Sequence, residues 1–210
     1  MSKLLPRIYH ILADFYGPRE DWYGKTRDEI IIGTMLTQNT NWHNVEKALA
    51  NLRQAGLLSL PALSRANAED LAALIRPCGY HHQKAQRLIN IAGHLQIERE
   101  ITDWAAFRTL LLSLHGIGPE TADSILLYAY HHPVFVIDAY TQRVFQRLGI
   151  CQTNYPYHAL QQWVMEHLPP DNELYGDFHR LIVMLAKSAC LKQPRCQICP
   201  LADMCSHEAE

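Results

Sequence analysis

Apolar residues return every three or four positions along almost the whole of this chain, and that spacing commits it to helices. Ten segments carry it: Lys3 to Phe15, Arg27 to Thr37, Asn41 to Leu52, Ala68 to Ile75, Gln83 to Leu95, Trp104 to Leu112, Pro119 to Tyr130, Tyr140 to Leu148, Tyr157 to His167 and Gly176 to Ala189. Short polar residues stand where several begin, with Thr40 before Asn41, Asn67 before Ala68 and Thr102 before Asp103. Each can accept an N–H that the first helical turn leaves unpaired. Phe135-Val136-Ile137 is the only strand-like run and is too short to count as one. The connections are short and marked by Pro or Gly, and no internal repeat is visible. The fold class these features predict is all-α.

A chain of 210 residues makes one large domain or two small ones. No stretch approaches the roughly 20 apolar residues of a membrane span. The opening "MSKLLPRIYHILADFYG" reads as an amphipathic helix with no small-residue cleavage site, so a cytoplasmic protein is expected. The net charge of −2 gives no basic footprint over the whole chain, although binding of nucleic acid depends on local charge. Between Arg143 and Arg195 the chain does lean basic, with Arg147, Arg180, Lys187 and Lys192 also present. A solvated helix face accounts for that excess equally well.

Six cysteines are present. Cys78 and Cys151 stand alone and are expected as small core residues. The other four lie in "CLKQPRCQICPLADMC", where Cys190, Cys196, Cys199 and Cys205 are separated by five, two and five residues. Disulfides are disfavoured in the cytosol, and the spacing suits metal ligands. Four thiolates serve a tetrahedral zinc or an iron–sulfur cluster alike.

"LHGIGPETA", residues 114 to 122, places Gly116, Ile117 and Gly118 ahead of a helix that begins at Pro119. Backbone amides at a helix N-terminus attract anions, and glycine lets a phosphate come close. A plain helix–turn–helix connection would also need such a turn. Glu120 falls in the first turn, where an acid is favoured by the helix dipole. Further on, Asp138 in "VIDAYTQRV" follows an apolar run and precedes a helix. It can cap that helix, and as a carboxylate it can stabilise a developing cation or orient a water.

In their order and spacing, "LHGIGPETA", "VIDAYTQRV" and the four C-terminal cysteines resemble the helix–hairpin–helix, Gly/Pro–Asp superfamily of DNA glycosylases, in its endonuclease III branch. The resemblance extends to "MLTQNTNWHNVEKAL" and "CGYHHQKAQRLINIA" and spans nearly the whole chain. It implies a two-domain helix–hairpin–helix glycosylase fold. A six-helix barrel over residues 22–132 would carry the hairpin. A discontinuous domain of residues 1–21 and 133–210 would carry a [4Fe–4S] cluster on Cys190, Cys196, Cys199 and Cys205. The first cysteine spacer is five residues here, whereas endonuclease III usually has six.

The resemblance assigns Asp138 to the family's catalytic aspartate and the hairpin to a DNA phosphate. In bifunctional endonuclease III enzymes the position of Glu120 is a lysine whose amine attacks the sugar C1′ and forms a Schiff base. A carboxylate cannot form that imine, so a monofunctional glycosylase without AP-lyase activity is expected. "GIGPETAD" and "MLTQNTNW" look most like the bacterial endonuclease III-related 3-methyladenine glycosylases, which also carry Glu at this position. Those enzymes stack a flipped alkylpurine on a Trp-Trp-Pro segment. The matching stretch here is "DWYG", which makes Trp22 and Tyr23 the candidate pocket; core packing would use the same two aromatics. The known alkylpurine enzyme of this type lacks the cysteine cluster.

Gln38 matches the residue that fills the gap left by the flipped nucleotide. His82, and after it His81, match the wedge loop. Lys84, Thr121 and the hairpin amides are expected to touch DNA. The expected function is removal of a damaged base, such as 3-methyladenine, from double-stranded DNA by a monomer in base excision repair. A glycosylase for oxidised or mismatched pyrimidines, or a catalytically lapsed iron–sulfur DNA-binding module, would share the scaffold.

Overall fold

Seven helices start on a side chain that accepts one of their own unpaired N–H groups: Thr26, Asn41, Ser59, Asn67, Asp103, Asp138 and Asp171. The sequence thus fixes many of the breaks as well as the helices. The computed structural model describes residues 3–18, 24–96 and 101–207. Its helices are α1 (Leu4–Tyr16), α2 (Arg27–Thr37), α3 (Trp42–Gln54), α4 (Leu60–Leu63), α5 (Ala68–Leu74), α6 (His81–Leu95), α7 (Trp104–Ser113), α8 (Pro119–Ser124), α9 (Ala139–Arg147), α10 (Tyr157–His167) and α11 (Asn172–Ser188). No strand occurs among the described residues. No described helix is long and apolar enough to cross a membrane.

Several boundaries differ from the periodic pattern for local reasons. Asn41 and Asp103 are caps and not first helical residues. The predicted helix from Pro119 to Tyr130 is α8 followed by a π-helical turn over Ile125–Ala129. The one-turn α4 is too short to show a period. Phe135 to Ile137 is extended but pairs with no strand, and it leads into the cap of α9.

The chain divides into two compact units, Tyr23–Tyr130 and Met1–Trp22 with His131–Glu210. In the first, every residue of α2 from Ile30 to Leu36 is buried, as befits a helix packed on several sides by α3, α6 and the π turn. The hairpin between α7 and α8 is tied by a bidentate pair: Arg108 Nε donates to Asp123 Oδ1 at 2.6 Å and Nη2 to Oδ2 at 3.0 Å. Asp123 is fully buried, so this pair fixes the angle between the two helices; removing one partner would strand a buried charge.

In the second unit, α1 buries Leu5, Ile8 and Leu12 and packs on α11. Asp177 and Arg180 of α11 lock that contact. Tyr9 donates to Asp177 Oδ2 at 3.1 Å, and the buried Arg180 bonds both Asp177 and the Gly17 carbonyl. Phe135, Phe145, Tyr175 and Phe178 meet mostly edge to face at the centre. The buried Gln161 amide donates to the Phe135 carbonyl at 2.7 Å and holds the extended run that ends at Asp138.

Candidate functional site

Asp138 is 9% exposed and caps α9, with Oδ1 accepting the Thr141 N–H at 2.7 Å. His179 of α11 brings Nε2 to 3.5 Å from Oδ2. Burial alone would push the Asp138 pKa up. The charge of His179 and hydrogen bonds from His179 and Thr141 outweigh it, and the carboxyl ends below its ordinary value. The result is an anionic carboxylate in a largely dry setting, with one oxygen fixed by backbone and the other facing an imidazole. The sequence singled out Asp138 but gave no sign of His179, because a lone His on an apolar helix reads as core.

In the other unit, the hairpin glycines line an open hollow of about 470 Å³ together with Gln38, Asn39, Ile117, Glu120 and Thr121. Gly116 has φ +92°, a conformation L side chains rarely adopt. Ile117 is a turn anchor: its side chain is buried and its N–H goes to the Leu114 carbonyl at 3.1 Å. This corrects the expectation that Ile117 touches DNA. Glu120 is exposed on the first turn of α8. Gln38 is docked on the hairpin, its Nε2 donating to the Gly116 carbonyl at 2.9 Å and to Thr121 Oγ1 at 3.1 Å. That amide, expected to project into DNA, closes the α2 end onto the hairpin here, and Thr121 serves the same contact. Asn39, which sequence reasoning missed, also lines the hollow, with φ 54°.

Lys84 departs most from expectation. It is 5% exposed, and its ammonium donates to the carbonyls of Leu36, Gln38 and Cys78 at 2.9, 2.8 and 2.9 Å. With all three N–H donors engaged inside the fold, it is not a phosphate contact; it pins the end of α2 to the turn before α6. Burial pulls its pKa down, Cys78 raises it and Arg87 lowers it further. Cys78 is core as expected, whereas Cys151 is half-exposed in a small surface hollow.

The wedge loop also differs. His82 is exposed with Nδ1 at 3.5 Å from Glu69 Oε2, and its ring lies 4.5 Å from that of the half-buried His81. The residue this loop presents most openly is Tyr80, 69% exposed with φ 47°. A large aromatic held in the left-handed region on the surface is an uncommon arrangement for a side chain with no core to fill. Trp22 and Tyr23 lie outside the described residues.

Two of the four cysteines, Cys190 and Cys205, are held by α9. Arg143 donates to the carbonyls of Ala186 and Cys190, both at 3.0 Å. Arg147 reaches the Cys190 sulfur at 3.2 Å and the carbonyls of Leu191 and Lys192. Cys205 and Ser206 in turn donate to the Arg147 carbonyl. With Arg180 bonded in the core, much of the basic excess read from the sequence is internal bracing. Burial raises the Cys199 thiol pKa, and charge on Cys190, Cys205 and Cys196 raises it further, so the four sulfurs are electrostatic neighbours. Among the described residues no three His, Cys, Asp or Glu side chains converge on a point where one ion could bind them.

The sequence profile of the HhH-GPD superfamily of base excision DNA repair proteins matches residues 32–170. A protein of Methanocaldococcus jannaschii, provisionally named a DNA repair glycosylase, is 39% identical, the alignment covering 97% of this chain and 96% of that protein. The crystal structure of a 3-methyladenine DNA glycosylase of H. pylori bound to 1,N6-ethenoadenine is 27% identical with a TM-score of 0.72, covering 89% of this chain and 96% of that one. A non-covalent endonuclease III–DNA complex shares the fold at TM-score 0.81 and 22% identity, covering 98% and 95%. An all-helical chain with a glycine hairpin and a capping aspartate, matched over this length, belongs to the HhH-GPD superfamily of base excision DNA repair glycosylases.

Proposed function

We propose that this glycosylase is monofunctional and releases alkylated purines, such as 3-methyladenine, from duplex DNA by hydrolysis. The observation that carries the reading is the pairing of two acids. A buried carboxylate, Asp138, is kept ionised at the cap of α9, and position 120, where a lyase needs an amine, holds Glu. In the reaction the C1′–N bond breaks with its electron pair leaving on the base. Asp138 stabilises the cationic sugar, and a water oxygen then bonds to C1′ and releases its proton to solvent. A purine methylated on a ring nitrogen, such as 3-methyladenine, carries positive charge, so its departure needs little acid help. The likeness to the H. pylori enzyme supports this substrate class. Tyr80 would serve as the wedge, since an exposed aromatic can enter a base step and support unstacking. The Gly116 and Gly118 amides would meet a phosphate.

The cysteine loop fits a [4Fe–4S] cluster on Cys190, Cys196, Cys199 and Cys205: the donors are four thiols with no His or acid among them, already electrostatic neighbours. When bound, the cluster cross-links the loop and adds redox capacity. The protein is expected to be brown as isolated, and Cys199→Ser to lose the visible thiolate–iron absorption. Zinc and no iron by elemental analysis would reverse the assignment.

A base-release panel tests the activity, using duplexes that carry 3-methyladenine, 1,N6-ethenoadenine, thymine glycol, G·T or G·U, each with and without borohydride. Release from the alkylated purines with no trapped adduct is expected. Release confined to pyrimidines would move the substrate class, a trapped adduct would restore a lyase, and duplex binding without any release would leave a binding module.

A further inference from the structure

Helix α6 and His115 enclose an open hollow of about 410 Å³. Gln86, Arg87, Asn90 and His94 line it from α6, and among the described residues no carboxylate does. The Arg87 stem runs so close beneath the hairpin that a Cβ on Gly116 would lie 2.7 Å from its Cδ and 2.9 Å from its Nε. That Nε is shielded from solvent and has no hydrogen-bond partner. A guanidinium N–H left without an acceptor in a shielded place is costly. The planar fork to which it belongs matches phosphate oxygens. The side-chain amides of Gln86 and Asn90 and the imidazole of His115 line the same hollow. His94 is engaged on its own helix, its Nδ1 2.9 Å from the Asn90 carbonyl.

We propose that this hollow is a second phosphate site, with Arg87 as its charged ligand, which takes a phosphodiester of the DNA strand that the hairpin also contacts. The inference rests on the reading of the chain as a duplex-binding glycosylase. It gives Gly116 a second role: lacking a side chain, it lets the arginine lie directly under the turn, so that the two phosphate contacts are mechanically joined. A free inorganic phosphate presents the same oxygens, and the test separates the two sources.

Binding of undamaged duplex, measured by fluorescence anisotropy between 50 and 200 mM salt, reads the number of phosphates neutralised. Arg87→Met should reduce the slope of log K against log salt by about 0.9. Wild type then loses roughly threefold more affinity than the variant across that range, while Arg87→Lys keeps the wild-type slope. Asn90→Asp, which leaves the arginine and its packing in place, should also weaken duplex binding by setting a carboxylate against the phosphate. An unchanged slope in Arg87→Met together with unchanged affinity in Asn90→Asp overturns the site. In a parallel NMR titration, the His115 ring resonance should move with a short single-stranded oligonucleotide. Movement with inorganic phosphate only, with no effect of the variants on duplex affinity, would make it a free-anion site and overturn the DNA assignment. If wild type binds duplex with the expected slope but releases no base, the glycosylase reading fails and this site stands.

Discussion

Asp138→Asn is expected to lower base release by about 10²–10⁴-fold while leaving duplex affinity near that of wild type. Asparagine caps a helix about as well as aspartate, so the Thr141 N–H keeps an acceptor and α9 keeps its start. What disappears is the negative charge that the proposed mechanism sets against the sugar. Alanine would be the poorer test, because it removes cap and charge together. The pH profile makes the assignment sharper. The Asp138 pKa is depressed, so its carboxylate stays ionised below the ordinary value of about 3.9. Base release at limiting substrate should therefore show no acid limb from this group until the pH falls under that value. The same depression stabilises the fold above pH about 3.9, and that contribution fades as pH drops through the folded-state pKa. His179→Gln removes the imidazole whose Nε2 lies 3.5 Å from Oδ2, and with it the largest influence holding the Asp138 pKa down against burial. Its acid limb should shift upward, toward neutral pH, with kcat at high pH largely retained. Asp138→Asn with wild-type turnover would end the assignment, and an unmoved acid limb in His179→Gln would end the part given to the imidazole.

Lys84→Met should cost about 3–5 kcal/mol of stability, a loss of roughly 10 °C in Tm for a chain of this size. Methionine matches the length of the lysine stem but donates nothing to the carbonyls of Leu36, Gln38 and Cys78. Those acceptors at the end of α2 and the turn before α6 would be left facing an apolar group. Thermal melting followed by circular dichroism measures the loss. Had Lys84 been a surface phosphate contact, the same substitution would change the salt slope of DNA binding and leave Tm within a degree or two. That outcome would refute the role the structure gives it.

Lys84 also shows where sequence reading stops. Its position four residues into "HHQKAQRL", beside histidines and ahead of Arg87, has the look of a basic surface patch. Its burial depends on carbonyls tens of residues away at Leu36 and Gln38, which no local pattern reveals. His179 was hidden for the same reason: its partner Asp138 lies on another element, and the two meet only once α9 packs on α11. Tyr80 escaped notice because a left-handed backbone at a tyrosine has no compositional signal. By contrast, the helices, the caps Asn67 and Asp138, the glycine turn and the cysteine loop were legible, because each is written in adjacent residues by period, capping chemistry or spacing. The resemblance then supplied the order in which these features occur.

Helix α9 is nine residues long, about 13 Å from end to end. At its first turn it orients Asp138, and at its last it grips the cysteine loop through Arg147. A rod that short and that well braced does not bend, so the two termini cannot drift independently. Corrosion of the loop, by oxidation or by mutation of one thiol, would therefore tilt the acid at the opposite tip, and repair capacity would fail before the protein as a whole came apart.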